Sequence, residues 1–165
     1  MWYNVSEFLG VASILTAISF AVFGAYRLIK TKKLSGVGNS VLAFGAVLIL
    51  TAIFYVIFEL VVINYRPILV DGELEASFPS SHTLLAVSVL GCAAEYFFES
   101  KMKSVLRFTF YTLFNVILIV LVCARLFSGV HWFTDIVAGI TLGLSLVFTY
   151  SALIQIDLAS VLKKK

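Results

Sequence analysis

The sequence predicts an all-α integral membrane protein, a polytopic bundle of about five transmembrane helices. Of its 165 residues, 61% are hydrophobic and only 13% are charged, whereas a soluble domain is usually about half apolar and a quarter charged. The apolar residues also concentrate in five continuous stretches, each close to the roughly 20 residues that a spanning helix needs. The stretches do not alternate between apolar and polar residues, as the strands of a membrane barrel would.

The five predicted spans follow one another with short polar connections, and we expect them to form one domain over residues 1–165. Because Met1–Glu7 contains no basic residue, the first span is predicted to be an anchor and not a cleaved signal peptide. The third span is the shortest, and Glu95 interrupts it near its end. The predicted spans are Val5–Tyr26, Val41–Ile63, Ser81–Phe98, Phe108–Phe127 and Phe133–Leu153.

The basic residues predict the orientation of the bundle. They cluster in the first and third connections and in the C-terminal tail, which the positive-inside rule places in the cytoplasm. The N-terminus is then outside and the C-terminus cytoplasmic. Because the net charge of +3 lies beside apolar segments, we expect the bilayer, and no nucleic acid, as partner. The clustered residues are Arg27, Lys30, Lys32, Lys33, Lys101, Lys103, Arg107 and Lys163–Lys165.

The second and fourth connections therefore face the same exterior side, and they hold the most informative polar residues. Arg66 and Arg125 are the two basic residues left outside the cytoplasmic clusters, and His82 and His131 are the only histidines. Ionisable groups are costly at the edges of membrane spans and often mark functional sites. Their shared face predicts a site for an anionic group.

A helix start is predicted where the third span begins. Pro79 is tolerated in a first helical turn, and the serines that follow, Ser80 and Ser81, can cap it. His82 then lies in the first turn. The free backbone N–H groups of such a helix start can bind a phosphate oxygen.

His131 and Asp135 form a second candidate unit at the start of the fifth span. They are four residues apart and therefore share a helix face. A carboxylate there can accept the proton on one imidazole nitrogen, which leaves the other nitrogen free as a nucleophile.

The motifs resemble those of the type 2 phosphatidic acid phosphatase superfamily. That family has a Lys-x6-Arg-Pro motif, a Pro-Ser-x-His motif and a Ser-Arg-x5-His-x3-Asp motif. Their order, spacing and sidedness match roughly residues 59–135 of this chain. The matching residues are Arg66-Pro67, Pro79-Ser80-Ser81-His82, and Arg125 followed by His131 and Asp135.

The resemblance implies a role for each matching residue. His131 would attack the phosphorus and form a phosphohistidine, Asp135 would orient it, and His82 would protonate the departing lipid oxygen. The phosphoryl oxygens would be held by Arg66, Arg125, Ser80 and the backbone near Ser81. The resemblance implies no cofactor and no metal, and the sequence has no cluster of carboxylates that suggests a metal site.

Two residues depart from the family pattern. Glu59 stands where the first motif has its lysine, and Ala124 stands where the third has its serine. The lost cation should weaken binding of a highly charged head group, and we hypothesise that Glu59 pairs with Arg66 and holds it in place. The family often has six core spans, so an N-terminal helix is expected to be absent.

The expected activity is hydrolysis of a lipid phosphate on the extracellular or periplasmic face of a cell membrane. The resemblance ranks undecaprenyl pyrophosphate first and phosphatidic acid or phosphatidylglycerol phosphate next. Two alternatives stay open. One is a phosphotransferase that passes the phosphoryl group to a sugar or lipid acceptor. The other is a degenerate, non-catalytic lipid-phosphate-binding protein, which only Glu59 and Ala124 favour. The sequence does not predict an oligomeric state.

Two further patterns favour structural roles. Asp71, Glu73 and Glu75 are typical of a solvated loop and not of catalytic acids. Gly139 and Gly143 form a small-xxx-small pair, which more often permits close packing within a bundle than it marks a dimer.

Overall fold

The computed structural model describes residues 1–70 and 72–156, and five long α-helices account for most of them. Within those residues, all five helices are long and apolar enough to cross a membrane, which confirms the predicted all-helical, multi-span fold. A short 3-10 turn, Leu34–Gly36, follows the first helix. The helices are α1 (Trp2–Thr31), α2 (Asn39–Leu60), α3 (Ser81–Phe98), α4 (Ser104–Phe127) and α5 (Phe133–Gln155).

The helix boundaries extend beyond the apolar runs in several places. α1 runs from Trp2 to Thr31 and α4 begins at Ser104, because a backbone helix continues into the polar interface while an apolar run marks only the hydrocarbon part. The exterior position of the N-terminus and the cytoplasmic position of the C-terminus stay predictions. Asp71 and the basic tail Lys163–Lys165 lie outside the described residues.

α3 is the central helix, and it packs against each of the other four. Many of its buried side chains are small, among them Ala86, Ser88, Ala93 and Ala94. Small residues let helix backbones approach closely, which drives helix association in lipid where the hydrophobic effect between helices is absent. The helix that carries His82 is therefore fixed from all sides.

Gly139 and Gly143 bring α5 directly against α3. A Cβ atom at Gly139 would lie 2.9 Å from the carbonyl oxygen of Ser80, and one at Gly143 would lie 2.5 Å from Cβ of Val87. This confirms the expectation that the glycine pair serves packing within the bundle. The close approach sets the N-termini of α3 and α5 side by side, where the backbone N–H of Ser80 donates to the carbonyl of Asp135 at 3.1 Å.

Aromatic packing and a side-chain cap join the helices at the opposite end of the bundle. The ring of Phe20 stacks on Phe44 at 4.0 Å, and Phe44 meets Tyr150 edge to face at 6.0 Å. The amide of Asn39 at the start of α2 donates to the carbonyl of Leu153 at 3.1 Å. These contacts connect α1, α2 and α5 at one end of the bundle. The candidate site lies at the other end.

The connection between α2 and α3 folds back on itself over that site end. The N–H of Arg66 donates to the carbonyl of Glu75 at 3.1 Å, and Tyr65 and Ala76 form an antiparallel bridge. The indole of Trp132, at the start of α5, donates to the carbonyl of Tyr65 at 2.9 Å. The connection is thus anchored to the fifth helix.

Candidate active site

A polar cavity of about 260 Å³ lies where α3 and α5 begin. Five of the residues singled out from the sequence line it: Glu59, Arg66, Ser81, His82 and His131. The structure therefore brings together residues from two distant connections, as the orientation argument predicted.

Three other predicted residues are buried and are not among the described residues that line the cavity. Arg125 is 1% exposed, and Ser80 and Asp135 are 0% exposed. They can support the cavity wall, but any direct contact with a bound group would need a rearrangement.

His131 presents a free nitrogen. Its Nδ1 lies 3.1 Å from both the hydroxyl and the carbonyl oxygen of Ser77. The Ser77 hydroxyl donates its own proton to Asp135, so its oxygen accepts from His131 and Nδ1 carries the ring proton. Nε2 is buried without a hydrogen-bond partner among the described residues. A buried lone pair at the wall of a polar cavity is the arrangement that a nucleophilic imidazole requires.

The predicted direct hydrogen bond between His131 and Asp135 is wrong, because Ser77 lies between the two side chains. The nearest carboxylate oxygen of Asp135 lies 3.7 Å from Nδ1, beyond hydrogen-bond distance. The Ser77 hydroxyl bridges the two side chains instead. Spacing along a helix could not reveal this, because Ser77 comes from the folded connection before α3.

Asp135 is held by several donors besides Ser77. The amide of Asn64 donates to Oδ1 at 3.2 Å, and the backbone N–H of Trp132 donates to Oδ2 at 3.0 Å. A fully buried carboxylate is tolerated when such donors satisfy it. The orientation of the Ser77–His131 pair therefore rests on a rigid acceptor.

The surroundings of His131 favour its neutral form. Burial, followed by the positive charges of Arg66 and Arg125, lowers the pKa of His131 from the ordinary 6.5 to about 3. The imidazole is therefore uncharged at neutral pH, with its one proton on Nδ1, and Nε2 keeps its lone pair.

Arg66 has a different partner from the one hypothesised. Its guanidinium pairs with Glu75 at 2.9 Å, whereas Glu59 lies on the wall of the same cavity. The antiparallel fold of the connection places Arg66 and Glu75 opposite each other, a register that the sequence does not reveal. Glu75 is thus an ion-pair partner as well as a partly exposed loop residue, while Glu73 is exposed as expected.

Arg125 takes part in a network with the first helix. Its Nη1 donates to Glu7 at 2.7 Å and to the hydroxyl of Ser6 at 3.1 Å. Its Nη2 lies 2.9 Å from Nδ1 of His82, and the same Glu7 oxygen lies 3.3 Å from Nε2 of His82. Sequence reasoning missed Glu7. The available signal was a carboxylate within an apolar first span, where such groups are rare.

The serines at the start of α3 divide into two roles. The hydroxyl of Ser80 accepts from the N–H and the hydroxyl of Thr83, at 3.4 Å and 3.0 Å, which confirms the predicted helix cap. This hydroxyl faces its own helix and is buried, and its contact with a phosphate stays a prediction. Ser81 lies on the cavity wall, where the first free N–H groups of α3 are available.

A second, apolar cavity of about 600 Å³ lies between α1, α2 and α3. Its walls are mostly aliphatic, with Ile14, Ala17, Leu48 and Ala52 among them. It meets the polar cavity at four residues that line both: Tyr55, Ser81, His82 and Leu84. His82 therefore lies at the junction of a polar compartment and an apolar one.

Known proteins share both the sequence pattern and the fold. The family model described as the PAP2 superfamily matches residues 40–157. Phosphatidylglycerophosphatase B of Bacillus subtilis (strain 168) is 29% identical over 145 residues, which cover 85% of this chain and 68% of that protein.

A solved structure of a related protein has a similar fold. The crystal structure of a transmembrane PAP2 type phosphatidylglycerolphosphate phosphatase from Bacillus subtilis superposes with a TM-score of 0.62 at 26% identity, over 92% of this chain and 73% of that chain. The motifs, the five spanning helices and these matches lead to one conclusion: the chain belongs to the PAP2 superfamily and is a membrane phosphatase of the lipid phosphate type.

Proposed function

We propose that this protein hydrolyses a lipid phosphate through a phosphohistidine at His131. One observation carries the proposal: Nε2 of His131, which has no hydrogen-bond partner among the described residues, lies at a cavity that Arg66 and His82 also line. A nucleophile, a cation and a second imidazole in one polar compartment match the requirements of phosphoryl transfer, which depends on positioning and charge stabilisation.

The proposed reaction has two steps. Nε2 of His131 attacks the phosphorus, the bond to the lipid oxygen breaks, and His82 gives a proton to that oxygen. Water then attacks the phosphohistidine and releases phosphate, while His82 takes a proton from the water. Arg66 and the N–H groups at Ser81 hold the phosphoryl oxygens, and Arg125 joins them when its Nη2 group turns from His82 toward the phosphate.

The two cavities support a lipid as substrate. The apolar cavity provides space for a hydrocarbon chain, and the polar cavity provides space for a phosphate. Because His82 lies where they meet, a lipid bound across the junction would place its scissile bond beside the proposed proton donor.

The charges around the polar cavity favour a phosphate monoester over a diphosphate. Each of the two arginines at the site already has a carboxylate partner, Glu75 for Arg66 and Glu7 for Arg125. Glu59 adds a further acidic group to the cavity wall. A second phosphate would meet like charge. We therefore propose phosphatidylglycerol phosphate, the substrate in the names of the two similar proteins, ahead of the undecaprenyl pyrophosphate that the sequence ranked first.

We further propose that the site faces the exterior. It lies at the start of α3, whereas Lys30 lies in the last turn of α1 and Lys101 follows the end of α3. Basic ends of spans face the cytoplasm. Labelling of a Glu73→Cys variant by an impermeant maleimide in intact cells tests this. The exposed loop residue should react without permeabilisation, and protection would contradict the orientation.

Phosphate release by the purified protein tests the activity. Phosphatidylglycerol phosphate, phosphatidic acid and undecaprenyl pyrophosphate would be compared with and without a chelator, beside His131→Ala. We expect release that is abolished in His131→Ala and unchanged by the chelator. Absence of release from every lipid would exclude the enzyme, a loss with chelator would exclude the metal-free reaction, and acceptor-dependent products would favour a phosphotransferase.

A further inference from the structure

Glu7 of α1 contacts Arg125, which lies behind the polar cavity, and also His82, which lines that cavity. One oxygen of its carboxylate is 2.7 Å from Nη1 of Arg125 and 3.3 Å from Nε2 of His82. Arg125 is almost fully buried, and Glu7 is partly exposed. A single acidic group thus joins α1 to the centre of the site. α1 lies outside residues 40–157 that the family model matches, so none of the three family motifs includes this carboxylate.

The hydrogen bonds define the resting state of His82. Arginine can only donate, so Nδ1 of His82 accepts from Nη2 of Arg125 at 2.9 Å. The ring is then neutral and carries its one proton on Nε2, which lies 3.3 Å from a carboxylate oxygen of Glu7. A neutral imidazole is a very weak acid, so proton donation to a lipid oxygen requires a second proton on Nδ1.

Two features allow that second proton. The Nη2 group of Arg125 can release Nδ1 when it turns to a phosphoryl oxygen, while Glu7 and Ser6 keep Nη1 in place. The carboxylate of Glu7 then stabilises the imidazolium through the Nε2–H contact, as orienting carboxylates do in catalytic triads.

α1 also fixes the position of the His82 ring. A Cβ atom at Gly10, one turn after Glu7, would lie 3.1 Å from Cδ2 of His82. The ring therefore rests directly against the backbone of α1, and Glu7 meets it edge-on from the same helix.

We propose that Glu7 is the positioning residue of the proton donor, holding Nε2–H of His82 so that Nδ1 faces the Arg125-bound phosphate and protonates the leaving oxygen. In this step, the phosphorus–oxygen bond breaks as the bond from phosphorus to Nε2 of His131 forms. The Nδ1 proton of His82 moves to the lipid oxygen, and His82 returns to the neutral ring with its proton on Nε2. This role rests on the proposed function.

Leaving-group dependence tests the role. An alkyl phosphate needs a proton on its leaving oxygen, whereas the para-nitrophenolate of para-nitrophenyl phosphate leaves without one. We expect Glu7→Gln to lower kcat/KM for the lipid phosphate by at least about tenfold, less than the loss of a whole general acid. For para-nitrophenyl phosphate, the loss in kcat/KM should be at least about fivefold smaller and should reflect only the lost Glu7–Arg125 contact. The reason is that kcat/KM covers only the steps up to departure of the leaving group, and para-nitrophenolate departs without a proton.

Ser6→Ala is the matched control, because the Ser6 hydroxyl accepts from Arg125 at 3.1 Å and makes no hydrogen bond to His82 in the part of the chain that the structure describes. Its effect should be equal for both substrates, since both carry the phosphate that Arg125 serves. Glu7→Asp should recover part of the lipid activity. An equal loss on both substrates in Glu7→Gln would overturn the role of Glu7, while activity in His131→Ala would instead overturn the proposed function.

Discussion

The carboxylate of Asp135 lies 3.7 Å from Nδ1 of His131, with the hydroxyl of Ser77 between them. The hydroxyl donates a hydrogen bond to the carboxylate and accepts one from the imidazole. This relay sets the tautomer of His131 and frees Nε2. Orientation of the proposed nucleophile therefore depends on a residue that the family's named motifs do not include.

Ser77→Ala is expected to slow formation of the phosphohistidine. The change removes the bridging hydroxyl and leaves a buried carboxylate oxygen with one donor fewer. The expected loss is about 1–3 kcal/mol, which corresponds to a rate about five- to 150-fold lower. The measurement is kcat together with the acid-labile phosphoenzyme trapped by quenching. Asn64→Ala is the control, because the Asn64 side chain donates to the other oxygen of Asp135, at 3.2 Å, while its backbone contact with Ser77 is kept in the variant. A larger loss in Asn64→Ala than in Ser77→Ala would contradict the relay.

His131 is expected to stay neutral far into the acidic range. Its pKa is lowered from 6.5 to about 3 by burial and by two arginines. In the folded protein, His131 therefore takes up a second ring proton only near pH 3. The unfolded chain binds it at about 6.5, so this residue lowers the stability of the folded state as pH falls through that interval. Imidazole ¹⁵N spectra, assigned with His131→Asn, should show no titration of His131 between about pH 5 and pH 8. A midpoint near the ordinary value would contradict the burial argument.

Glu59→Gln is expected to tighten phosphate binding. Glu59 lies on the wall of the polar cavity, and Arg66 has its ion pair with Glu75, so loss of the Glu59 charge removes repulsion without breaking that pair. At about 0.5–1 kcal/mol for a partly solvated charge, KM should fall about two- to fivefold, and further in Glu59→Lys. The exposed Glu73, changed to Gln, serves as control. A higher KM in Glu59→Gln would restore the hypothesis that Glu59 holds Arg66 in place.

The features that could be predicted from the sequence depend on the pattern of neighbouring residues along the chain. Spans follow from apolar length, and His82, His131 and Arg66 follow from motif spacing and from the rule that alternate connections share a side. Glu7 and Ser77 depend on tertiary neighbours instead. Glu7 reaches His82 only because α1 packs beside α3, and Ser77 reaches His131 only because its connection folds back.

Glu75 was missed for the same reason as Ser77. An acidic stretch in a polar connection is typical of a solvated loop, and nothing in the spacing shows that Arg66 and Glu75 become antiparallel neighbours. The predicted partner, Glu59, was the nearer candidate by chain position at the end of a helix. Pairing within irregular connections depends on backbone register, which hydropathy does not encode.

Gly139→Ala is expected to destabilise the bundle and to reduce activity together. The new Cβ would meet the carbonyl of Ser80 at 2.9 Å, which forces α5 away from α3 one turn after Asp135, at a cost of about 1–3 kcal/mol. Thermal unfolding in detergent and phosphate release measure the two effects. Gly45→Ala is the control, since its Cβ would meet nothing within 4 Å, and it should be neutral or stabilising by about 0.5–1 kcal/mol. Equal stability of both variants would contradict the close packing of α3 and α5.

Ala52→Trp is expected to impair long-chain substrates selectively. Ala52 lines the apolar cavity and not the polar one, so the indole should occupy space proposed for the lipid chain and leave the phosphate contacts intact. KM for a long-chain lipid phosphate should rise by about fivefold or more, equivalent to about 1 kcal/mol, whereas kcat/KM for para-nitrophenyl phosphate should not change. Ile49→Trp is the matched control, because Ile49 is 63% exposed on the same helix and lines neither cavity. Equal effects of the two tryptophans, or equal effects on the two substrates, would show that the chain does not enter this cavity.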